Sequence, residues 1–570
     1  MLCGALASCG GSGHHTTTTT SSGGGAGQAT TGNGGASASA SAGTGGGAPA
    51  PIGGVSLFYT DLTSGPSAGG QDGKGAFVTV HGNGFGDARN GATVTIGGGA
   101  AGGYPIWTST RVTFQLGAAA KTGDVVVHLP GKGDSNGLPF TVRAGNIFFV
   151  TASGDDAKDG SFAHPWATIP QAKNGIQPGD VAYLGTSAGD TLAQTKQDDS
   201  SPYKCALGMS TNDGSNSGTA ALPKALVAYP GAKVTIGVES GLQRGILTPA
   251  ITGSFDYWVI AGLILRGEVE AVDLQGSNTG WRMIGNDISC PNGTGLSGCV
   301  TGVPDHFKFY GNVVHDAAGN VAKAQITKYY HGIYFGGSNH LELGWNVVRD
   351  GRTCRGIQFH DSGGPGNFDL VVHDNVIHGT TCDGLNFATV DPSQGPVEAY
   401  NNVIYDVGLG PDPQDGSSSY AGIYVANITN AGPDGSGMVK LYNNTLVGCG
   451  PIGGSAAGAI ARAAGSVGIE MNDNLIVASS GGSYFSSDTD ASMIGGAGNL
   501  FSGADGAPAG LTMSVVADPL LVAPAAFDFH LQPGSPAVDH GVKTGAPTDL
   551  DGNPRPQGKG FDIGAYELTK

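Results

Sequence analysis

Five residues close together in the chain carry the side chains that proton-transfer chemistry on a sugar acid requires: Lys328, His331, Tyr334, Arg355 and His360. Breaking a C–O bond by β-elimination needs a base for the carbon-bound proton, a cation or strong donor for the neighbouring carboxylate, and an acid for the leaving oxygen. Lys328 or His331 is expected as the base, Arg355 as the carboxylate neutraliser, and Tyr334 or His360 as the acid. Arg352, Gln358, Asp383, Asn386 and Tyr424 are expected to contact the substrate, and Asp361, Asp383 and Asp391 offer oxygens to a calcium ion. No calcium-loop motif is present, and the chemistry requires no other cofactor. The plainer alternative for the same stretch is an Arg355–Asp383 structural ion pair with solvated loops around it.

These residues recur at fixed places in a repeat. The segment Phe307–Asp316 reappears at 341–350, 370–379, 397–406, 439–448 and 469–478, each time with Asn at its sixth position. The resulting column is Asn286, Asn312, Asn346, Asn375, Asn402, Asn444 and Asn474, with most spacings from 26 to 34 residues. That is one supersecondary unit repeated, the mark of a solenoid. A second motif precedes the Asn in each coil: His331-Gly-Ile-Tyr-Phe335, Arg355-Gly-Ile-Gln-Phe359, Asp383-Gly-Leu-Asn-Phe387 and Ala421-Gly-Ile-Tyr-Val425. Each coil thus has three short strands, and the expected fold is all-β, a three-sheet right-handed parallel β-helix. Alternation points Ile333 and Phe335 inward and Tyr334, Gln358, Asn386 and Tyr424 outward. With coils about 4.8 Å apart, the outward residues form one polar, aromatic-flanked strip. One position before the motif, Cys354 and Cys382 stack within disulfide range, as a bridge or as a buried reduced pair. Cys290 and Cys299 could close a small loop.

Longer stretches resemble known families. "IFFVTASGDDAKDGSFAHPWATIPQAKNGIQPGDVAYL" is similar to the opening of exported pectate-lyase-like β-helix proteins, with a helix capping the first coil. This resemblance implies that the first strand of each coil and its loops line a polysaccharide groove. It supplies no catalytic set. The Asn-Thr-Asp, Gly-His-Gly and Arg-Ile-Lys motifs of polygalacturonase-like hydrolases are missing, as are the Asp-Pro-His-Glu of alginate epimerases and the Trp-x-Asp-His of the main pectate lyases. "VTVHGNGFG", "VTIGG" and "SNGLPFTV" resemble an IPT/TIG immunoglobulin-like β-sandwich, which implies a spacer or carbohydrate-adjacent module rather than a catalytic one. "FHLQPGSPAVDHG" and "TDLDGNPRPQGKGFDIGAYEL" resemble the C-terminal segment of exported β-helix proteins. Leu6-Ala-Ser-Cys9 resembles a lipobox, which implies lipidation of Cys9; plain secretion is the alternative. The expected domains are a Gly/Ser/Thr-rich tether at 1–51, the sandwich at 52–143, the solenoid at 147–510 and a cap at 511–570.

Composition narrows the partners. The formal charge of −18 argues against nucleic acid, whose phosphates need a basic footprint. No apolar run is long enough to span a membrane, so a membrane is met only through the N-terminal lipid. The expected setting is extracellular or cell-surface, and the expected state is a monomer. Lys323, Lys328, Arg349, Arg352 and Arg355 face only Glu342 and Asp350 nearby, so a locally basic groove is expected for an acidic polysaccharide. The functional expectation is a lyase cutting a uronic-acid polymer. Two others compete: an inverting glycoside hydrolase using Asp361 and Asp383, and a non-catalytic carbohydrate binder or adhesin.

Overall fold

The computed structural model describes residues 54–569, except 201–203, 211–215, 251–252, 277, 323–324, 326–327, 353, 362–365, 411–419, 426–436, 452–456, 505–506 and 508. Cys9, the tether and Lys323 lie outside the described residues. From Ile147 onward, the chain winds through three parallel sheets. Sheet A carries the Gly-Ile-x-Phe strands, sheet B the strands just before the Asn turn, and sheet C those just after it. Among the described residues these hold nine, thirteen and twelve strands. Val150, Trp166, Ile169 and Ala172 bury into the core of the first coils, the last two from the helix Ile169–Gly175, whose N-cap Thr168 accepts from the N–H of Gln171 at 3.2 Å.

The Asn column is a continuous hydrogen-bonded ladder, and it gains a rung that the repeat did not reveal, Asn499. Each rung donates through Nδ2 to Oδ1 of the next rung at 2.9–3.1 Å. The same nitrogen donates to a sheet B carbonyl of the previous coil at 2.8–3.0 Å. The residue before each rung turns the chain with φ between +51° and +71°: Gly285, Gly311, Trp345, Asp374, Asn401, Asn443, Asp473 and Gly498. Gly, Asn and Asp tolerate that conformation, which is why "GN", "DN" and "NN" recur. Trp345 is the exception, and its ring is used elsewhere.

The sandwich is built from two sheets, one ordered Ser56–Thr60, Phe77–Asn83, Arg111–Gln115 and Gly103–Trp107. It does not act as a free spacer. It lies on the outer face of sheet B, and one apolar cluster runs through both, from Val78 and Phe77 to Tyr183, Val227 and Tyr310. The Tyr183 hydroxyl donates to the Phe77 carbonyl at 2.7 Å, and Arg282 donates to the Thr60 carbonyl at 2.7 Å. Trp345 stacks on Phe58 at 5.8 Å and sits 5.1 Å from the Tyr59 ring. Outward aromatic side chains on the early sheet B strands thus serve an interdomain core. The tail runs along the outer face of sheet C, where Phe529, Leu531, Ile563 and Ala565 pack with Val403 and Leu475. Its acidic residues make turns: Asp549 accepts from the N–H groups of Asn553 and Glu567, and Asp562 from those of Asp539 and Leu568.

Farther along sheet B, His373 is enclosed between two carboxylates, Asp374 at 2.6 Å and Glu342 at 3.2 Å. Burial opposes its charge, but the hydrogen bonds to Asp374 and Glu342 prevail and lift its pKa to about 9. An imidazole raised above its unfolded value of about 6.5 adds stability that is complete below that pH and fades as pH climbs toward 9. The melting temperature is therefore expected to fall between about pH 6.5 and pH 9, and His373→Gln to flatten that slope. A pH series of thermal melts that leaves the two proteins parallel would remove His373 as the cause.

Candidate functional site

The strip on sheet A forms in the expected register. Ile333, Ile357, Leu385 and Ile423 pair inward on successive coils, while Tyr334, Gln358, Asn386 and Tyr424 pair one position on. Behind it, Phe335, Phe359 and Phe387 build a core ladder, the last two stacked at 5.7 Å. The glycine of each motif has a steric reason. A Cβ on Gly332, Gly356, Gly384 or Gly422 would come within 2.6–2.9 Å of a carbonyl oxygen on the next coil. The N–H groups of Gly332 and Ile333 both bond forward, to Arg355 and Gly356. This crowded bend brings His331 onto the same side as Tyr334, ring to ring at 5.5 Å.

The two expected bridges are present. Cys354 and Cys382 join neighbouring coils with Cα atoms 4.4 Å apart, flanked by Tyr420, and Cys290–Cys299 closes its short loop. The first bridge sits one residue before the Arg355 and Asp383 positions and ties together the two coils that supply most of the strip.

The strip divides into a buried layer and an accessible one. His331 is 2% exposed, and its Nδ1 has no hydrogen-bond partner among the described residues. Burial first, then Arg355 and His360, hold its pKa well below the ordinary value. This corrects its assignment as a base, because the buried ring cannot reach a substrate C–H. Asp383 and Asn386 are each 1% exposed, which corrects their assignment as substrate contacts. Asp383 accepts from Arg355 Nε at 2.8 Å, from Asn386 Nδ2 at 2.8 Å and from the Ala421 N–H at 2.8 Å. The structural ion pair is therefore real, and Arg355 reaches the strip already neutralised. Gln358 is also buried.

Above this layer stand Tyr334 and His360, with Tyr334 Oη 3.1 Å from His360 Nδ1. Burial and then Asp361 raise the Tyr334 pKa. Burial and then Arg355 lower that of His360, with Asp361 opposing. The phenol is thus kept protonated and the imidazole neutral. Tyr424 is partly exposed farther along the same row. Lys328 is partly exposed beside the strip; its carbonyl accepts from Arg355 at 3.3 Å and its Nζ lies 5.7 Å from the Tyr329 ring.

The expected basic groove is dispersed by the fold. Arg349 lies on sheet C and pairs with Asp350. Arg352 donates to the Gly319 carbonyl at 3.4 Å in the loop ahead of the strip, which corrects its placement as a strip contact. The suggested calcium ligands do not converge among the described residues. Asp383 is committed as above, Asp391 accepts from Ser393 and Gln394, and Asp361 bonds through its own N–H to Thr389. A different group does come together, at the entry to sheet B: Asp305, His306 and His340. Its signal was in the sequence, since His306 and His340 each stand six residues ahead of a ladder Asn.

The IPT/TIG domain family matches residues 61–142. No curated protein matches the sequence. Solved structures similar to the chain include pectate lyase Pel9A, at 13% identity and TM-score 0.48, covering 74% of this chain and 96% of that one. XylC in complex with xylose is similar at 9% identity and TM-score 0.44, covering 74% and 98%. The GH136 lacto-N-biosidase from Eubacterium ramulus is similar at 13% identity and TM-score 0.34, covering 65% of each chain. Residues 61–142 are an IPT/TIG domain, carried on a three-sheet parallel β-helix.

Proposed function

We propose that the protein is an exported polysaccharide lyase that holds a uronic-acid polymer along sheet A and cleaves it by β-elimination. The observation that carries this reading is the Tyr334–His360 pair, two proton-transfer groups 3.1 Å apart on the accessible layer of the strip. Neutral His360 takes the proton from C5 of the uronate, the C–H electrons form the C4=C5 double bond, and the C4–O bond breaks. Tyr334 supplies a proton to the departing oxygen. His360 Nδ1–H then passes its proton to the Tyr334 oxygen, leaving a neutral imidazole with the C5 proton on Nε2, and exchange with water restores the starting tautomer. Arg355 lies close enough to lower the His360 pKa, and Lys328 and Arg355 are the cations beside the strip that could meet the substrate carboxylate, Arg355 while still paired with Asp383. The hydrolase reading loses ground because Asp383, one of its two carboxylates, is buried and fully hydrogen-bonded. Export is supported by the two disulfides, which persist in oxidising compartments. These transfers use side chains alone, so calcium enters only as a variable of the test.

The test is a panel of alginate, pectate and glycosaminoglycans, with and without calcium, followed by the ultraviolet absorbance of unsaturated uronate. One substrate is expected to give the unsaturated product. Reducing ends without unsaturation would replace the lyase by a hydrolase, and tight binding without any product would make the protein a carbohydrate binder.

A further inference from the structure

We propose that Asp305, His306 and His340 form a binding site for a divalent transition ion of the zinc class, with Asp369 orienting His340. The site owes nothing to the strip on sheet A; it is produced by the coil repeat. In successive coils the residue six places ahead of the ladder Asn is His306, His340 and Asp369, and each enters sheet B with a left-handed φ, +50°, +56° and +52°. Equivalent backbone in adjacent coils stacks the two imidazoles, with ring centroids 4.1 Å apart and planes 23° from parallel. Asp305, one residue before His306, points its carboxylate at both rings. Its Oδ2 is 2.9 Å from His306 Nδ1 and its Oδ1 is 2.8 Å from His340 Nδ1. Oδ2 also accepts from the Thr279 hydroxyl at 3.3 Å.

Two nitrogens and a carboxylate with ligand atoms within 4.8 Å of one another suit a borderline metal. Donors of a tetrahedral zinc site are separated by about 3.3 Å, so the present spacings need only small side-chain rotations. The other face of His340 is also set up for ligation. Its Nε2 lies 3.7 Å from Asp369 Oδ2, just beyond hydrogen-bond distance, so a small rotation would let that carboxylate orient the ring from its outer side. Calcium is a poor fit, because it takes oxygen ligands and two of these three are imidazole. All three ligand side chains are partly open to solvent, leaving room for water to complete the coordination.

The test is calorimetric titration of the tag-free full-length chain, stripped with chelator, using zinc alone and calcium alone. Cobalt substitution reports the ligand set by visible absorption. Zinc is expected to bind at one ion per chain. His340→Ala is expected to weaken it more than tenfold, and Asp369→Asn about tenfold with the cobalt spectrum retained. Calcium is expected to give no comparable heat. The proposal is overturned if zinc does not bind, or if the His306→Ala/His340→Ala chain binds zinc as tightly as the original, which would move the ion to another site such as the His14-His15 pair. The substituted residues are surface groups, and unchanged thermal melts of the metal-free variants confirm that folding is intact.

Discussion

His360→Asn is expected to lower kcat by about 10²–10⁴-fold on whichever uronate polymer the protein cleaves, with KM nearly unchanged. The substitution removes the ring nitrogen 3.1 Å from the Tyr334 hydroxyl while keeping a polar group of similar reach. Tyr334→Phe is expected to cost a comparable factor and to leave the ring stacked over His331. Because the two act as one unit, the double variant should lose little more than either single one. The pH profile gives a second reading of the same pair. Burial and Arg355 lower the pKa of His360, so the acid limb of kcat/KM is expected below the ordinary imidazole value. Tyr334 is pushed upward by burial, so the alkaline limb is expected above the ordinary tyrosine value. A broad plateau between them follows. Full activity in both single variants would remove the pair from the chemistry. Loss in His331→Ala alone would instead indicate collapse of the layer beneath, since that ring is buried.

Asn346→Asp is expected to be the most damaging single substitution in the solenoid. Asn346 is wholly buried in the middle of the ladder. Its Oδ1 accepts from the N–H and Nδ2 of Asn312, and its Nδ2 donates to the Phe309 carbonyl and to Asn375 Oδ1. Aspartate keeps the two accepted bonds and loses both donated ones. It also sets a carboxylate against the Asn375 oxygen with no counter-ion. The Phe309 carbonyl loses this donor, Asn375 Oδ1 keeps only the Asn346 N–H at 3.0 Å, and the uncompensated buried charge is the larger cost, so a loss of about 3–5 kcal/mol is expected. Asn499→Asp should cost less, because Asn499 is the last described rung and its Nδ2 bonds only carbonyls of its own end. Chemical unfolding of the two variants checks the order. A loss below about 1 kcal/mol at position 346 would mean that the ladder is incidental to stability.

Much of this was legible because a solenoid writes its geometry as a period. The Asn column, the inward Ile333 and Phe335, the outward Tyr334 and Gln358 and the Cys354–Cys382 bridge all follow from stacking equivalent residues one coil apart. Asn499 escaped because its flanking strands are short and glycine-rich, so only the hydrogen bonds reveal it. His306 and His340 escaped because they sit at left-handed positions entering sheet B, where strand alternation no longer tells which way a side chain points. The IPT/TIG domain was readable as a domain but not as a partner of sheet B, since strand alternation shows which residues face outward and not what will cover them.

The candidate site divides along the same line. The sequence by itself determined which residues share the strip, because register in a repeat is a matter of counting. Only the tertiary structure decided which of them reach solvent. Charge and exposure depend on neighbours that come from other coils: Asp383 drew Arg355 into an ion pair, the bend at Gly332 buried His331, and Tyr334 and His360 were left on the accessible layer. Periodicity carries position along one coil, whereas burial and protonation are set between coils, by contacts 26 and 28 residues apart that no local pattern encodes.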